Sequence, residues 1–155
     1  MTRGLENYQH MSQRNEQMQH KGVDLINDTY NANPRSMTEA LKTLDNFKTQ
    51  GRRILVIGDM LELGDRSIAA HKKLGAEIAA SKTNILITLG KLASLSAKSA
   101  QTLAGKKIQI LELTSHQEAA ELLTQETVSG DCVLLKGSRG AAIEKILQIF
   151  MESKD

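Results

Sequence analysis

From Val23 onward the apolar residues follow two alternating rhythms. Short apolar runs, "VDLIN", "RILVIG", "NILITLG", "KIQILEL" and "DCVLLKG", have the length of strands. Between them the apolar positions recur three and four residues apart, the period of a helix with one buried face. "SMTEALKTLDNFKTQ" places Met37, Ala40, Leu41, Leu44 and Phe47 on one face, and "RSIAAHKKLGAEIAAS" aligns Ile68, His71, Leu74 and Ile78. "KLASLSAKSAQTLAG" reads as a helix closed by Gly105, and "SHQEAAELLTQE" as the next. "AAIEKILQIFME" shows Ile143, Ile146, Leu147 and Phe150 on its face. Ser36 with Glu39, and Ser115 with Glu118, fit the S-x-x-E box that starts a helix.

Strict β-α alternation with strands apolar on both faces predicts a parallel sheet covered on both sides. The expected fold is a single α/β domain, a Rossmann-like, doubly wound, mostly parallel sheet with helices on both faces. Residues 1–22 are polar and rich in Gln, Asn and His. They read as a linker, a weak hairpin around "HKG", or the edge of a larger protein.

The 155 residues suit one domain with a real core. A net charge of +2 and 3% aromatics give no basic, ring-lined stripe, which argues against nucleic acid. Cys132, the single cysteine, cannot form an internal disulfide and lies in an apolar run, where it reads as a core residue. No apolar stretch is long enough to span a membrane, and the start lacks the centre of a signal peptide, so the cytoplasm is the expected compartment.

Ligands of such sheets bind outside the carboxyl ends of the strands. "NDTYNANPRS" there brings a carboxylate, a phenol and two amides: Asp28 can accept from ribose hydroxyls, Tyr30 can stack, and Asn31 and Asn33 can read a base or a peptide. The competing reading has Asp28 and Asn33 satisfying their own loop. "GDMLELGDR" carries three acids, but its Met and two Leu argue for a structural loop rather than a metal site. "KGSRG" offers Lys136, Ser138 and Arg139 ahead of a helix, good chemistry for a carboxylate or phosphate. Neither G-x-x-x-x-G-K-[ST] nor G-x-G-x-x-G is present. His71 reads as a hydrogen-bonded core or edge residue, while His10, His20 and His116 lack metal-ligand spacing. Asp28, Asp59, Thr88 and Lys136 superficially fit a receiver-like phosphoacceptor module, one alternative. A second is an interaction domain with Met60, Leu61 and Leu63 as an exposed patch.

Taken together, "NDTYNANPRSM", "VIGDMLELG", His71 with "LG" after it, and "VLLKGSRG" resemble the C-terminal domain of the Mur ligases, on the branch that adds D-alanyl-D-alanine. The resemblance covers nearly the whole chain. It implies the closing domain of an ATP-dependent ligase of cell-wall precursor synthesis, working through an acyl phosphate. ATP and magnesium would be held mainly by a central ATPase domain absent from this chain. The implied partners are that domain, a UDP-sugar-binding domain, D-alanyl-D-alanine and UDP-N-acetylmuramoyl-tripeptide. On this resemblance residues 1–22 are the hinge and first hairpin and 23–155 the C-terminal domain, with no catalytic or metal-binding residue of its own. Arg14, Asp28, Tyr30 and Asn31 match nucleotide-contacting positions, and Asn33, Lys136, Ser138 and Arg139 match the substrate side. Asn27 stands where the family usually has an acid, and Gly140, Ala141, Ala142 and Ile143 replace its methionines. The isolated chain is expected to be inactive.

Overall fold

The computed structural model describes residues 13–153. The first part of the 1–22 linker reading, with His10, lies outside the described residues. Six strands form one sheet in the order β1-β2-β6-β3-β4-β5: β1 Glu16–His20, β2 Val23–Asp28, β3 Arg53–Gly58, β4 Ile85–Leu89, β5 Gln109–Leu113 and β6 Cys132–Lys136. Strands β2 to β6 are parallel, and β1 pairs antiparallel with β2 at the edge. The β1–β2 turn places Lys21 and Gly22 at φ of 53° and 80°. Two positive φ values match the twist of a tight hairpin, and Gly22 adopts its own without strain.

Among the described residues, five helices cover the sheet: α1 Pro34–Asn46, α2 Ser67–Ala79, α3 Ala93–Ala104, α4 His116–Glu126 and α5 Glu144–Glu152. Alternate residues of each central strand face opposite layers. Leu55 and Ile57 of β3 join Met37, Leu44, Leu74, Ile78 and Ala97 under α1, α2 and α3. Ile54 and Val56 join Ala120, Leu123, Ile146 and Phe150 under α4 and α5. This is why the strands read as unbroken apolar runs, and each fully buried Ile, Leu or Val contributes about 1.5–3 kcal/mol. α2 and α3 pack closely because Gly75 has no Cβ: one built there would lie 2.4 Å from the Ser96 carbonyl oxygen. Ser96 Oγ donates to the His71 carbonyl across the same contact, at 2.6 Å.

Three readings of the sequence need correction. The first helix does not begin at Ser36 with Glu39 as its box partner. Asn33 is the N-cap, its Oδ1 accepting from the Ser36 N–H at 2.8 Å, while Ser36 Oγ accepts from the Asn33 N–H at 3.0 Å. Pro34 decides this, because its fixed φ suits the first helical position and its missing N–H is not needed there. Ile68 is 57% exposed rather than on the buried stripe of α2, since that helix starts only at Ser67. The last helix starts at Glu144 rather than Ala141, after a 3₁₀ turn Arg139–Ala141 and a left-handed Ala142. At α4 the Ser115 cap forms as expected, while the Glu118 carboxylate accepts from Thr114 Oγ1 instead.

The amino end of β6 is closed by an ion pair. Asp131, with a side chain 1% exposed, accepts from Arg52 Nη2 at 2.8 Å, the Arg52 N–H at 2.9 Å and the Val128 N–H at 3.0 Å. Burial pushes its carboxyl upward, but those hydrogen bonds outweigh it and hold the group below its ordinary 3.8. Next to it, Cys132 is fully buried, and burial with the Asp24 charge pushes its thiol up to about 12.

Candidate functional site

The carboxyl ends of β2 and β6 are neighbours, and Asp28 and Lys136 are paired in register as their last residues. Lys136 is 4% exposed in its side chain, and its ammonium donates to Asp28 Oδ2 and to the Asn31 carbonyl, both at 2.9 Å. The other Asp28 oxygen, Oδ1, accepts from the Asn15 N–H at 3.0 Å. With 18% of its side chain exposed, Asp28 keeps free lone pairs for further donors. Behind this pair runs a buried polar chain. Glu16 Oε1 accepts from Asn27 Nδ2 at 3.1 Å, and Asn27 Oδ1 accepts from Thr29 Oγ1 at 2.6 Å. Asn27 therefore suits this chain: an acid there would face the Glu16 carboxylate.

A groove of about 510 Å³ opens over these residues. It brings together Arg14, Asp28, Tyr30, Asn31, Asn33 and Lys136, six of the residues singled out in the sequence. The Arg14 guanidinium lies 4.2 Å from the Tyr30 ring centroid, and the Tyr30 N–H donates to the Gln13 carbonyl at 2.8 Å. Asn31 turns its Oδ1 to the Ala32 N–H at 2.9 Å. Asn33 is engaged in capping α1. Ser138 and Arg139 do not line the groove but stand beside it: Ser138 Oγ accepts from the Leu61 N–H at 2.8 Å, and the Arg139 guanidinium sits 5.1 Å from the Tyr30 ring. The sequence reading missed Asn15, whose backbone holds Asp28. It also missed Arg35, Glu39 and Thr43, which line the groove from α1. Their i, i+4, i+8 spacing, one polar stripe opposite the apolar face, was the available signal.

The "GDMLELG" loop is structural in this chain. Met60 is fully buried, its N–H donating to His71 Nε2 at 3.0 Å, while His71 Nδ1 donates to the Ser67 carbonyl at 2.7 Å. In this pair of bonds Nε2 accepts and Nδ1 donates, which orients the ring between Met60 and Ser67. Met60 and Leu63 pack against the core, so the expected exposed patch reduces to Leu61. Asp59 is engaged by the start of α3. Its Oδ1 accepts from the Ala93 N–H at 2.7 Å, and Thr88 lines a separate depression at the β4 and β5 ends. Among the described residues no group of three or more His, Cys, Asp or Glu is placed to hold a metal ion. Among them, too, no helix is long and apolar enough to cross a membrane.

Residues 13–139 match the family described as Mur ligase, glutamate ligase domain. Over 132 residues, 85% of the chain, it is 36% identical to the UDP-N-acetylmuramoyl-tripeptide–D-alanyl-D-alanine ligase of Bacillus subtilis. Over 131 residues, 83% of the chain, it is 33% identical to the ligase of the same name from Escherichia coli. The chain spans only 29% and 27% of the length of these relatives. Among solved structures it resembles the MurF ligase of Thermotoga maritima in complex with ADP, with a TM-score of 0.71 and 30% identity over 90% of this chain and 30% of that one. MurF from Acinetobacter baumannii gives a TM-score of 0.79 and 29% identity over 91% and 31%. With the parallel sheet, the groove at its carboxyl edge and a match over most of its length, the chain belongs to the Mur ligase family as a C-terminal, glutamate ligase domain.

Proposed function

We propose that the chain is the closing domain of the ligase that joins D-alanyl-D-alanine to UDP-N-acetylmuramoyl-tripeptide, and that its groove receives the adenosine side of ATP. Residues 1–22 are then the hinge and first hairpin, and 23–155 the domain proper. The observation that carries this reading is the Asp28–Lys136 pair at the floor of the groove. A buried ammonium fixes one carboxylate oxygen at 2.9 Å, and the part-exposed group can accept from both hydroxyls of a ribose. Tyr30, Arg14 and Asn31 supply stacking, charge and an amide around it. The ADP-bound structure of a 30% identical ligase supports the choice of nucleotide.

ATP supplies the phosphoryl group that activates the peptide carboxylate. This chain's residues bind, orient and exclude water. Magnesium and the phosphate-cradling loop belong to the part of the ligase outside this chain. On the dipeptide side Arg139 has its donors available, while Lys136 and Ser138 tie neighbouring loops together and Asn33 caps α1.

The test replaces the corresponding part of the Bacillus subtilis relative with this chain. ADP release dependent on both D-alanyl-D-alanine and UDP-N-acetylmuramoyl-tripeptide is the expected result. Release independent of the dipeptide would overturn the substrate assignment. Asp28→Ala in that chimera should raise the KM for ATP at least tenfold, and an unchanged KM would remove the ribose role. The isolated chain should show no ATP turnover.

A further inference from the structure

His116 does not line the groove, yet it reaches the loop that carries Arg139. It is the first residue of α4, directly after the Ser115 cap. Its Nε2 donates to the Ala141 carbonyl at 2.8 Å, across 25 residues of sequence. A carbonyl only accepts, so this nitrogen carries the proton. The backbone around Ala141 explains why its carbonyl needs such a partner. Arg139–Ala141 form a 3₁₀ turn, in which the Ala141 N–H donates to the Ser138 carbonyl at 2.9 Å and the Ala142 N–H to the Arg139 carbonyl at 3.1 Å. Ala142 then turns left-handed, at φ 52° and ψ 44°. An alanine is held there only by its surroundings, because its Cβ crowds the following carbonyl. This kink interrupts the hydrogen-bond series between the turn and α5. The Lys145 N–H, which a continuous helix would aim at the Ala141 carbonyl, goes to the Ala142 carbonyl at 3.0 Å. The Ala141 carbonyl is left over, and His116 takes it.

Other contacts hold the start and the underside of the loop. Ser138 is buried, its N–H donating to the Asp59 carbonyl at 3.1 Å and its Oγ accepting from the Leu61 N–H at 2.8 Å. Gly58 lets the turn rest on the end of β3, since a Cβ there would lie 2.8 Å from the Ala141 Cβ. Arg139 itself is exposed, and among the described residues its side chain donates no hydrogen bond to the protein. Its guanidinium meets the Tyr30 ring at 5.1 Å, a contact that is weak at an exposed site. Where that guanidinium stands therefore depends on the turn beneath it. Among the described residues, His116 is the side chain bonded to the far end of that turn.

We propose that His116 is a positioning residue for Arg139: from the start of α4 it pins the Ala141–Ala142 kink and so sets the direction of the guanidinium toward the carboxylate of the incoming dipeptide. The proposal rests on the reading that puts Arg139 on the dipeptide side. It gives α4, none of whose residues lines the groove, a part in holding the substrate. His116 acts through the loop and touches neither substrate.

The test has two parts. In this chain, amide hydrogen exchange followed by NMR reads the kink itself. His116→Ala should speed exchange of the Ala141, Ala142 and Lys145 amides about tenfold, with the amides of α1 and α2 unchanged. His116→Gln, whose terminal amide can donate to the same carbonyl, should bring the rates back. Parental rates in His116→Ala, or faster exchange throughout the chain, would overturn the brace. In the chimera with the Bacillus subtilis relative, His116→Ala should raise the KM for D-alanyl-D-alanine about threefold, with the KM for ATP and kcat little changed. His116→Gln should restore it. In an Arg139→Gln background, His116→Ala should have no further effect, because it acts through that arginine. An unchanged dipeptide KM, an equal rise in both KM values, or losses that add in the double variant would overturn the positioning role. Arg139→Gln alone separates this proposal from the reading beneath it. If that variant keeps the parental dipeptide KM, the assignment of Arg139 to the dipeptide side falls, and the exchange rates still decide whether His116 holds the kink.

Discussion

Strand β6 carries an ion pair at each end, and the two differ in what they leave over. At the amino end Asp131 receives the Arg52 guanidinium and two backbone N–H groups, and its side chain is sealed from solvent. Every strong partner there is used, so that end can only stabilise. At the carboxyl end Asp28 and Lys136 are as close, at 2.9 Å, but Asp28 stays part-exposed, and Arg14, Arg35 and Arg139 gather nearby without carboxylate partners among the described residues. The same kind of pair is thus saturated at one end and left part-open at the other, beside the groove proposed for the nucleotide. Parallel strands make this asymmetry natural, because the loops that follow β2 and β6 leave from one edge.

The sharpest way to break the comparison is Asp131→Ala. It strands the Arg52 guanidinium and the Val128 N–H, and should cost about 2–3 kcal/mol in urea denaturation, with ADP binding unchanged. Lys136→Met should cost less, about 1–2 kcal/mol, because Asp28 can turn to water, but it should also weaken ADP binding. A stability loss without a binding loss would make the two ends equivalent. Asn33→Ala should cost about 1 kcal/mol through the lost cap of α1.

Acid tests the amino end directly. The folded Asp131 carboxyl lies below its ordinary 3.8, so the unfolded chain takes up the proton first as pH falls. The stability from this pair is complete above that ordinary value and drains as pH drops through it toward the folded value. Denaturation curves from pH 6 to 3 should show the loss, and Asp131→Asn should flatten it. The smallest effect belongs to Ile68→Ser, which should stay within about 0.5 kcal/mol because the side chain is mostly in solvent.

Much of this was readable in the sequence. Unbroken apolar runs announced strands buried on both faces, and the three- and four-residue spacing of Met37, Leu41 and Leu44 announced α1. The crowding of polar groups into "NDTYNANP" pointed to the groove. What was not readable depends on contacts distant in sequence. Nothing local says that β6 inserts between β2 and β3, and without that insertion Lys136 has no reason to meet Asp28. The start of α1 was read at Ser36 because "SMTE" fits a capping box, but Pro34 two residues earlier suits the first helical position and sets the cap at Asn33. Met60 could be read as folding back on the domain or as part of an exposed patch, and its burial with the bond from its N–H to His71 decides for the first.

Cys132 gives β6 one more property. Only a thiolate is alkylated, and a thiol raised to about 12 is ionised in roughly one molecule in ten thousand at pH 8. It is also walled in at the centre of the sheet, so a labelling reagent reaches it only when β6 parts from its neighbours. The chain therefore contains its own clock: the rate at which iodoacetamide consumes this single sulfur counts openings of the core, with no engineered probe.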